Sequence, residues 1–470
     1  MNKRFNKNQA LAVRHVDGPC LVLAGPGSGK TFVLTNRILH LIKTAKVKPD
    51  NILVITFTRA AANEMKERFV KLLNDEKMTL NSMPTFGTFH SVFYEILRKD
   101  FGYTSSSLIT DNEKALVLSK ILKPYKEANS AFISNVLKDI DEYKLCMEKE
   151  ENFNPKYLSN KKFQNVFEKY QEILYEYRKL DFSDMISMCS ELLKSNKRVL
   201  SYYQNKYKYV LVDEFQDINK SQYDIVKMIC KSNNLFVVGD DDQSIYRFRG
   251  SHPKVMSDFL KDYKNSEVIY LTENYRCAKK IVKFSKLVID YNKCRFKKDL
   301  KSNRAEVGKL EIKAFVDSVD ENKHLIELIK KYNRGGIDLS DMAIIYRTNL
   351  LSDSVVTELK RNGIRYNIKG EENNELEESV NKDRNCINLM TFHLSKGLEF
   401  KVVFIIDAND GLIPHKKSIL DNDLETERRL FYVGMTRAKD YLHIFFTIRR
   451  FGKNYKASRF IVDAIGGQDE

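Results

Sequence analysis

The sequence predicts an α/β fold made of two doubly wound parallel-sheet domains, with a helical insertion in the first. Three observations predict it. Short apolar runs alternate with helix-like segments in two successive series, and a long strand-poor interval, 92–199, interrupts the first series. The chain of 470 residues is also too long for one ordinary core, and a prior of about 150 residues per domain suggests roughly three domains.

The first series is Cys20–Ala24, 52–57, Tyr209–Val212, 235–238 and 268–271, whose length and β-branched content favour strands buried on both faces. The second is Met342–Tyr346, 387–392, 402–407 and 441–448, alternating with helix-like segments such as 424–436. In sheets of this kind ligands bind beyond the carboxyl ends of the strands. The interval 92–199 is rich in Lys, Glu, Leu and Tyr, and Phe163, Val166, Phe167, Tyr170, Ile173, Leu174 and Tyr177 recur at spacings of three and four. That period marks one apolar helix face, read as core. The expected domains are 1–91 with 200–267, the insertion 92–199, and 268–470.

Lys plus Arg of 79 against Asp plus Glu of 63 leaves a formal charge of +16, which favours a polyanionic partner without naming it. Many solvated lysines would give the same number. Two local clusters stand out: Lys293, Arg295, Lys297, Lys298, Lys301 and Arg304, then Arg449, Arg450, Lys453, Lys456 and Arg459. No apolar run approaches the roughly 20 residues of a bilayer-spanning helix, so a membrane protein is not expected and cytoplasm is the default. Seven widely spaced cysteines suggest neither zinc nor a disulfide framework and are read as reduced and mostly buried.

After the run Cys20–Ala24 comes Gly25-Pro26-Gly27-Ser28-Gly29-Lys30-Thr31, and then a helical period through Val33, Leu34, Ile38 and Leu41. Strand, glycine loop and helix in that order form a phosphate cradle. The glycines let backbone N–H groups face phosphates at a helix amino terminus, Lys30 supplies charge, and the Thr31 hydroxyl can ligate Mg2+. Ala24 takes the first position, where the strict pattern asks for Gly. The run Tyr209–Val212 delivers Asp213 and Glu214 at its carboxyl end. Asp213 suits a magnesium shell, and Glu214 suits orienting and deprotonating an attacking water.

With these segments in hand, the chain resembles the UvrD/Rep/PcrA-type superfamily 1 helicases, from near its first residue to its last quarter. Ile55-Thr56-Phe57-Thr58 with Ala60 to Met65 is similar to motif Ia, Gly87-Thr88-Phe89-His90-Ser91 to the segment after it, and Asp213-Glu214-Phe215-Gln216-Asp217 to motif II. Motif III is matched by Gly239-Asp240-Asp241-Asp242-Gln243-Ser244-Ile245-Tyr246-Arg247-Phe248-Arg249-Gly250, and motif IV by Glu273-Asn274-Tyr275-Arg276. Thr391 to Phe400 resembles motif V, and Glu427 to Ala438 resembles motif VI.

The resemblance implies two RecA-like domains, called 1A and 2A, with the helical insertion as domain 1B. It implies ATP and Mg2+ as cofactors. By the same resemblance Gln9 reads adenine, Tyr275 stacks on it, Gln243 senses the terminal phosphate, and Arg276 and Arg437 act as arginine fingers. Glu399 would join the nucleotide or ribose contacts. Such a guanidinium stabilises charge developing in phosphoryl transfer. The single-strand track would contain Phe57, His90, Tyr246, Phe248, Arg249, Thr391 and His393, combining stacking with phosphate contacts.

Three departures from the family pattern are visible. Phe248 stands where relatives carry Trp, and the chain has no Trp; Phe32 stands where relatives often carry Arg. The third is architectural: the 2B domain that relatives insert between motifs IV and V has no room here, where only a polar linker, 371–385, intervenes. No space for a nuclease module is expected after motif VI. The leading expectation is therefore an ATP-dependent 3′–5′ helicase or translocase on single-stranded DNA and its junctions with duplex, monomeric in isolation, acting in DNA repair, recombination or replication restart. One alternative is an NTPase subunit of a nuclease-associated repair or anti-phage complex, with a nuclease or loading factor as partner. Another is a nucleic-acid scaffold with a degenerate ATPase. DNA rather than RNA is implied by the family alone.

Overall fold

The computed structural model describes residues 5–124, 129–149, 153–246, 254–370, 385–421 and 423–466. The chain divides into two compact units. The first comprises Met1–Val22, Thr31–Gly239 and Tyr246–Ile269, and the second Leu23–Lys30, Asp240–Ile245 and Tyr270–Glu470.

The first sheet has six strands in the order Thr85–Thr88, Ile52–Thr56, Tyr209–Val212, Leu235–Gly239, Cys20–Ala24 and Glu267–Leu271. Ile52–Thr56 pairs in parallel with both Thr85–Thr88 and Tyr209–Val212, and the latter pairs in parallel with Leu235–Gly239. Cys20–Ala24, Ile52–Thr56 and Leu235–Gly239 are buried at every position. Strands covered on both faces need continuous apolar runs, which is why the sequence displays them so plainly.

Among the described residues, six α-helices occupy or overlap the strand-poor interval: Phe89–Phe101, Asp111–Leu122, Ser130–Lys149, Asn160–Glu176, Phe182–Ser195 and Lys197–Lys206. Helix starts are set locally. Thr110 and Glu113 close a reciprocal capping box, and the Asp181 carboxylate accepts from the Asp184 N–H. The insertion carries its own apolar cluster, in which Phe163, Val166, Tyr170 and Leu174 pack on Leu118, Leu122, Val136 and Ile140. The predicted face is thus core through Leu174. Tyr177 departs from it: the helix ends at Glu176, and Tyr177 beyond it is 68% exposed.

The second sheet is parallel throughout, in the order Tyr366–Ile368, Ile387–Thr391, Met342–Tyr346, Phe400–Ile405, Ala438–Thr447 and Lys309–Phe315. Helices Ser318–Arg334 and Asp353–Arg361 cover one face through Leu325, Ile329, Val355 and Leu359. Helix Leu424–Met435 is buried from Glu427 onward. Among the described residues no helix is long and apolar enough to cross a membrane. Cys20, Cys189, Cys230 and Cys277 are buried free thiols, Cys386 is half-buried and Cys294 is exposed. The linker 371–385 lies, except for its last residue, outside the described residues.

At the carboxyl end of strand Phe400–Ile405 a buried carboxylate pair has a consequence for stability. Glu321 Oε1 accepts from the Asp407 N–H at 3.1 Å, and Arg450 donates to Asp407 Oδ2 at 2.8 Å. Burial first, and then the neighbouring Asp407 carboxylate, push the Glu321 carboxyl up to about 8 from its ordinary 4.5. A carboxyl whose folded pKa lies above its unfolded value binds its proton more tightly in the native state, so stability is fully present at low pH. It is lost as pH rises from about 4.5 through about 8. Glu321→Gln keeps the acceptor for Asp407 N–H and removes the charge. Its thermal midpoint is expected to exceed that of the parent protein at pH 8 and to match it near pH 5, as read by calorimetry across that range.

Candidate nucleotide and nucleic-acid sites

The loop after Cys20–Ala24 is shaped by two glycines in the left-handed region, Gly27 at φ +64° and Gly29 at φ +86°. It leads directly into helix Lys30–Lys43. Gly25 N–H donates to the Leu271 carbonyl at 3.0 Å, and the Ser28 hydroxyl donates to the Gly25 carbonyl at 2.8 Å. The loop is braced from outside as well. Tyr275 N–H donates to the Gly27 carbonyl at 2.9 Å, and a Cβ at Gly27 would lie 2.6 Å from Arg276 Cβ. Glycine is therefore required at position 27 by both conformation and space. Ala24 and Pro26 are buried; Lys30 and Thr31 are half-buried at the helix start.

In the first unit, Asp213 and Glu214 follow strand Tyr209–Val212. Asp213 N–H extends the ladder to the Ile55 carbonyl at 2.9 Å, and its Oδ1 accepts from Glu214 N–H at 3.0 Å. Glu214 is left-handed at φ +49°, a conformation that costs a non-glycine residue roughly 1 kcal/mol or more and persists where the surrounding structure over-determines it. Gln216 Nε2 donates to both Glu214 Oε2 and Asp217 Oδ2. Gln9 is buried in helix Lys7–Arg14, where its Oε1 accepts from the capping Asn6 N–H at 3.2 Å. Phe5 packs on Phe32 at 5.2 Å between ring centroids, so the residue that replaces the family's Arg has an apolar partner.

In the second unit, Arg276 and Arg437 are held very differently. Arg437 is 1% exposed: Nε donates to the Val433 carbonyl at 2.8 Å, Nη1 to the Leu398 carbonyl at 3.2 Å, and Nη2 to Gln243 Oε1 at 3.1 Å. Gln243 Nε2 in turn donates to Asp240 Oδ2 at 2.7 Å. Arg276 is more open. Its Nε donates to Glu399 Oε2 at 2.7 Å, while Lys439 Nζ lies 2.8 Å from Glu399 Oε1. Partial burial pushes the Glu399 carboxyl up, but Lys439 and Arg276 outweigh it and hold the group below its usual range. Glu399 thus anchors an arginine here. Tyr275 is 41% exposed, with its hydroxyl donating to Glu273 Oε2 at 2.8 Å.

Gln243 sits in a turn of three consecutive buried aspartates, Asp240, Asp241 and Asp242. Their oxygens are close enough together to resemble a cation site. The Lys298 ammonium fills that role, 2.7 Å from Asp240 Oδ1 and 2.9 Å from Asp242 Oδ2, and it also donates to Asp241 Oδ1. Arg295 grips Asp242 through two bonds of 2.8 and 2.7 Å. Lys301 pairs with Asp299 at 2.8 Å and Arg304 with Asp440 at 2.7 Å. Within the basic cluster around residue 300, Arg295 and Lys298 are thus committed to buried carboxylates, whereas Lys293, Lys297 and Lys301 are exposed. In the other cluster, Arg450 and Arg459 are likewise paired, with Asp407 and Asp410. The partners of Lys298, Arg304 and Arg450 come from distant segments, and spacing along the sequence does not reveal them.

Of the expected nucleic-acid track, Phe57 and Tyr246 are stacked on each other, 5.2 Å between centroids and 14° between planes. Phe57 and His90 line one cleft of about 550 Å³ with Phe182, a ring 56% exposed that the sequence reading did not single out. The Phe182 edge meets the His90 ring at 5.1 Å. Burial pushes the His90 imidazole below its ordinary value, so it is neutral at physiological pH. In the second unit Thr391 and His393 flank the fully buried Phe392 at the end of strand Ile387–Thr391, both half-buried. Phe248 and Arg249 lie outside the described residues.

An aromatic cleft stacks bases without regard to sequence, and each stacked base is worth about 1–3 kcal/mol. Phe57→Ala is accordingly expected to weaken single-strand binding by about 1–3 kcal/mol, roughly five- to 150-fold, with nucleotide hydrolysis in the absence of DNA unchanged. Fluorescence anisotropy with a labelled oligothymidylate measures the first and a phosphate-release assay the second.

Comparison with known proteins agrees with this geometry. The profile of the UvrD/REP helicase N-terminal domain matches residues 5–264, and that of the UvrD-like helicase C-terminal domain matches 269–373 and 371–449. YjcD of Bacillus subtilis (strain 168) is 29% identical over 97% of this chain and 80% of its own length, in an alignment of 617 positions. ATP-dependent DNA helicase Rep of Buchnera aphidicola is 29% identical over 95% of each chain. ATP-dependent DNA helicase PcrA of Staphylococcus epidermidis is 35% identical over 78% of this chain, which spans about half (51%) of that relative's length.

Proposed function

Because the chain belongs to the UvrD/REP helicase family, we propose that it is an ATP-dependent DNA helicase that translocates 3′ to 5′ on single-stranded DNA. The observation that carries the reading is the company kept by the glycine loop. Its Gly27 is packed against Arg276, and the Arg437 guanidinium is bonded to Gln243. A loop fit for phosphates, two guanidinium groups and an amide able to sense a terminal phosphate are the parts that phosphoryl transfer needs.

In this reading the backbone N–H groups from Gly25 to Thr31 cradle the phosphates, and Lys30 neutralises their charge. Gln9 and Tyr275 take the adenine. Thr31 and Asp213 fit a magnesium ion, as a hydroxyl at a helix start and a carboxylate at a strand end; when bound, the ion would neutralise charge on the phosphate oxygens. Glu214 accepts the proton of the attacking water, and Arg276 and Arg437 stabilise charge on the transferring group. Phe57, Tyr246, His90, Phe182, Thr391 and His393 hold the strand by stacking and phosphate contacts, with Phe248 and Arg249 continuing the track.

The two matched stretches of the C-terminal profile meet at 371–373 in this chain, and the alignment to YjcD is longer than the chain itself. Both support a compact motor without a 2B domain. We further propose that it acts as a cytoplasmic monomer in DNA repair, recombination or replication restart. Its substrates are single strands and their junctions with duplex. The test is single-turnover unwinding of duplexes bearing a 3′ or a 5′ tail. Unwinding confined to the 3′-tailed duplex is expected; unwinding only from a 5′ tail would reverse the polarity, and unwinding of neither would make the motor dependent on a loading factor or nuclease partner.

A further inference from the structure

We infer that Lys298 is a positioning residue for ATP hydrolysis, fixing the side chain of Gln243 through Asp240 in the orientation that meets Arg437. The inference rests on the reading of Gln243 as the phosphate sensor.

The chain of contacts is short. Lys298 Nζ donates to Asp240 Oδ1 at 2.7 Å, the other oxygen of Asp240 accepts from Gln243 Nε2 at 2.7 Å, and Gln243 Oε1 accepts from Arg437 Nη2 at 3.1 Å. An amide has a donor end and an acceptor end of nearly equal shape. Turned over, Gln243 would set its NH2 against the guanidinium and its oxygen against a carboxylate, both repulsive. The carboxylate of Asp240 is thus what selects one orientation, provided that it stays ionised and in place.

That condition is demanding. Asp240, Asp241 and Asp242 are each at most 4% exposed, and adjacent buried carboxylates repel one another and favour protonation. Lys298 has no exposed side-chain surface and touches all three. Burial alone would lower the Lys298 pKa, yet the three carboxylates raise it, so the ammonium stays charged.

The other holds on this turn act elsewhere. Arg295 binds Asp242, Phe296 N–H donates to Asp241 Oδ2 at 2.7 Å, and Lys396 Nζ donates to the Gln243 carbonyl at 2.7 Å. Two of those contacts end on the carboxylates of Asp242 and Asp241 and the third on the main-chain carbonyl of Gln243, so none of the three reaches the Gln243 amide. The Gln243 amide nitrogen meets Asp240, whose other oxygen accepts from Lys298 Nζ at 2.7 Å and from the Asp242 N–H at 3.2 Å, and of these two donors Lys298 is the charged one. This division separates a positioning role from a merely structural one.

The experiment compares the full chain with Lys298→Met, Asp240→Asn, Gln243→Ala and the two doubles that combine Gln243→Ala with each of the others. Turnover and KM for ATP are measured at saturating oligothymidylate, together with the thermal midpoint. Asp240→Asn leaves two carboxylates facing two cations, so it is expected to fold, and it decides the matter if Lys298→Met does not.

Either single substitution is expected to lower kcat roughly tenfold or more with KM changed little, as a small misplacement at a reacting centre does. In the Gln243→Ala background each is expected to have no further effect on kcat. Unchanged kcat in Asp240→Asn, or losses that multiply with that of Gln243→Ala, would overturn the inference while leaving Gln243 as sensor. Unchanged kcat in Gln243→Ala itself would remove the sensor reading, and the inference with it.

Discussion

Glu214→Gln is expected to lower DNA-stimulated ATP hydrolysis by about a thousandfold while nucleotide binding is retained. The substitution keeps shape and hydrogen-bonding capacity and deletes the one property that a general base requires. The Glu214 backbone is held at φ +49°, and Gln216 donates to Glu214 Oε2, so both main chain and side chain are committed to one geometry. A glutamate whose role was only to end the strand would tolerate glutamine. Single-turnover phosphate release, with binding of a fluorescent nucleotide measured in parallel, separates the two cases: a variant that binds and hydrolyses normally would move the base to another residue.

Arg437→Ala is expected to cost about a thousandfold in turnover as well, because an arginine aimed at a transferring phosphoryl group is worth roughly 10³–10⁵. Single-strand affinity should stay within a few fold, since the side chain is buried against Val433, Leu398 and Gln243 rather than placed in the aromatic cleft. Arg437→Lys should fare little better. One ammonium cannot replace a planar fork that meets two carbonyls and an amide oxygen at once. The thermal midpoint of Arg437→Ala should fall too, because buried carbonyls lose their donors. Comparing kcat per folded molecule keeps that effect apart from the chemistry, and near-parental turnover would exclude a finger role.

Most strands that the sequence made legible are buried on both faces, such as Cys20–Ala24 and Met342–Tyr346; Glu267–Leu271, at an edge, showed through its short apolar run. Within the two six-stranded sheets, the three that it concealed, Thr85–Thr88, Lys309–Phe315 and Tyr366–Ile368, lie at sheet edges. An edge strand has solvent on one side and needs no apolar run, so Thr-Phe-Gly-Thr or an alternation of Lys and Glu with Leu and Ile leaves no continuous signal. Motif chemistry behaved the same way. The glycine loop and the Asp213-Glu214 pair are local and could be read directly, as could Arg276 and Arg437 through the family pattern. The partnerships of Lys298 with Asp240 and of Arg276 with Glu399 join residues 58 and 123 positions apart. Spacing carries no trace of them. Phe182 was hidden for a different reason: an exposed aromatic at a helix start looks like any other until the fold sets it against His90.

The most direct measurement of the central claim, an ATPase driven by a single strand, is steady-state ATP turnover titrated with oligothymidylate, with single-stranded RNA and blunt duplex alongside. Turnover is predicted to rise steeply and saturably with single-stranded DNA, with Phe57→Ala shifting the half-saturation point and Glu214→Gln flattening the curve. Turnover that ignores single strands at every concentration, while the parent protein still binds ATP, would contradict it.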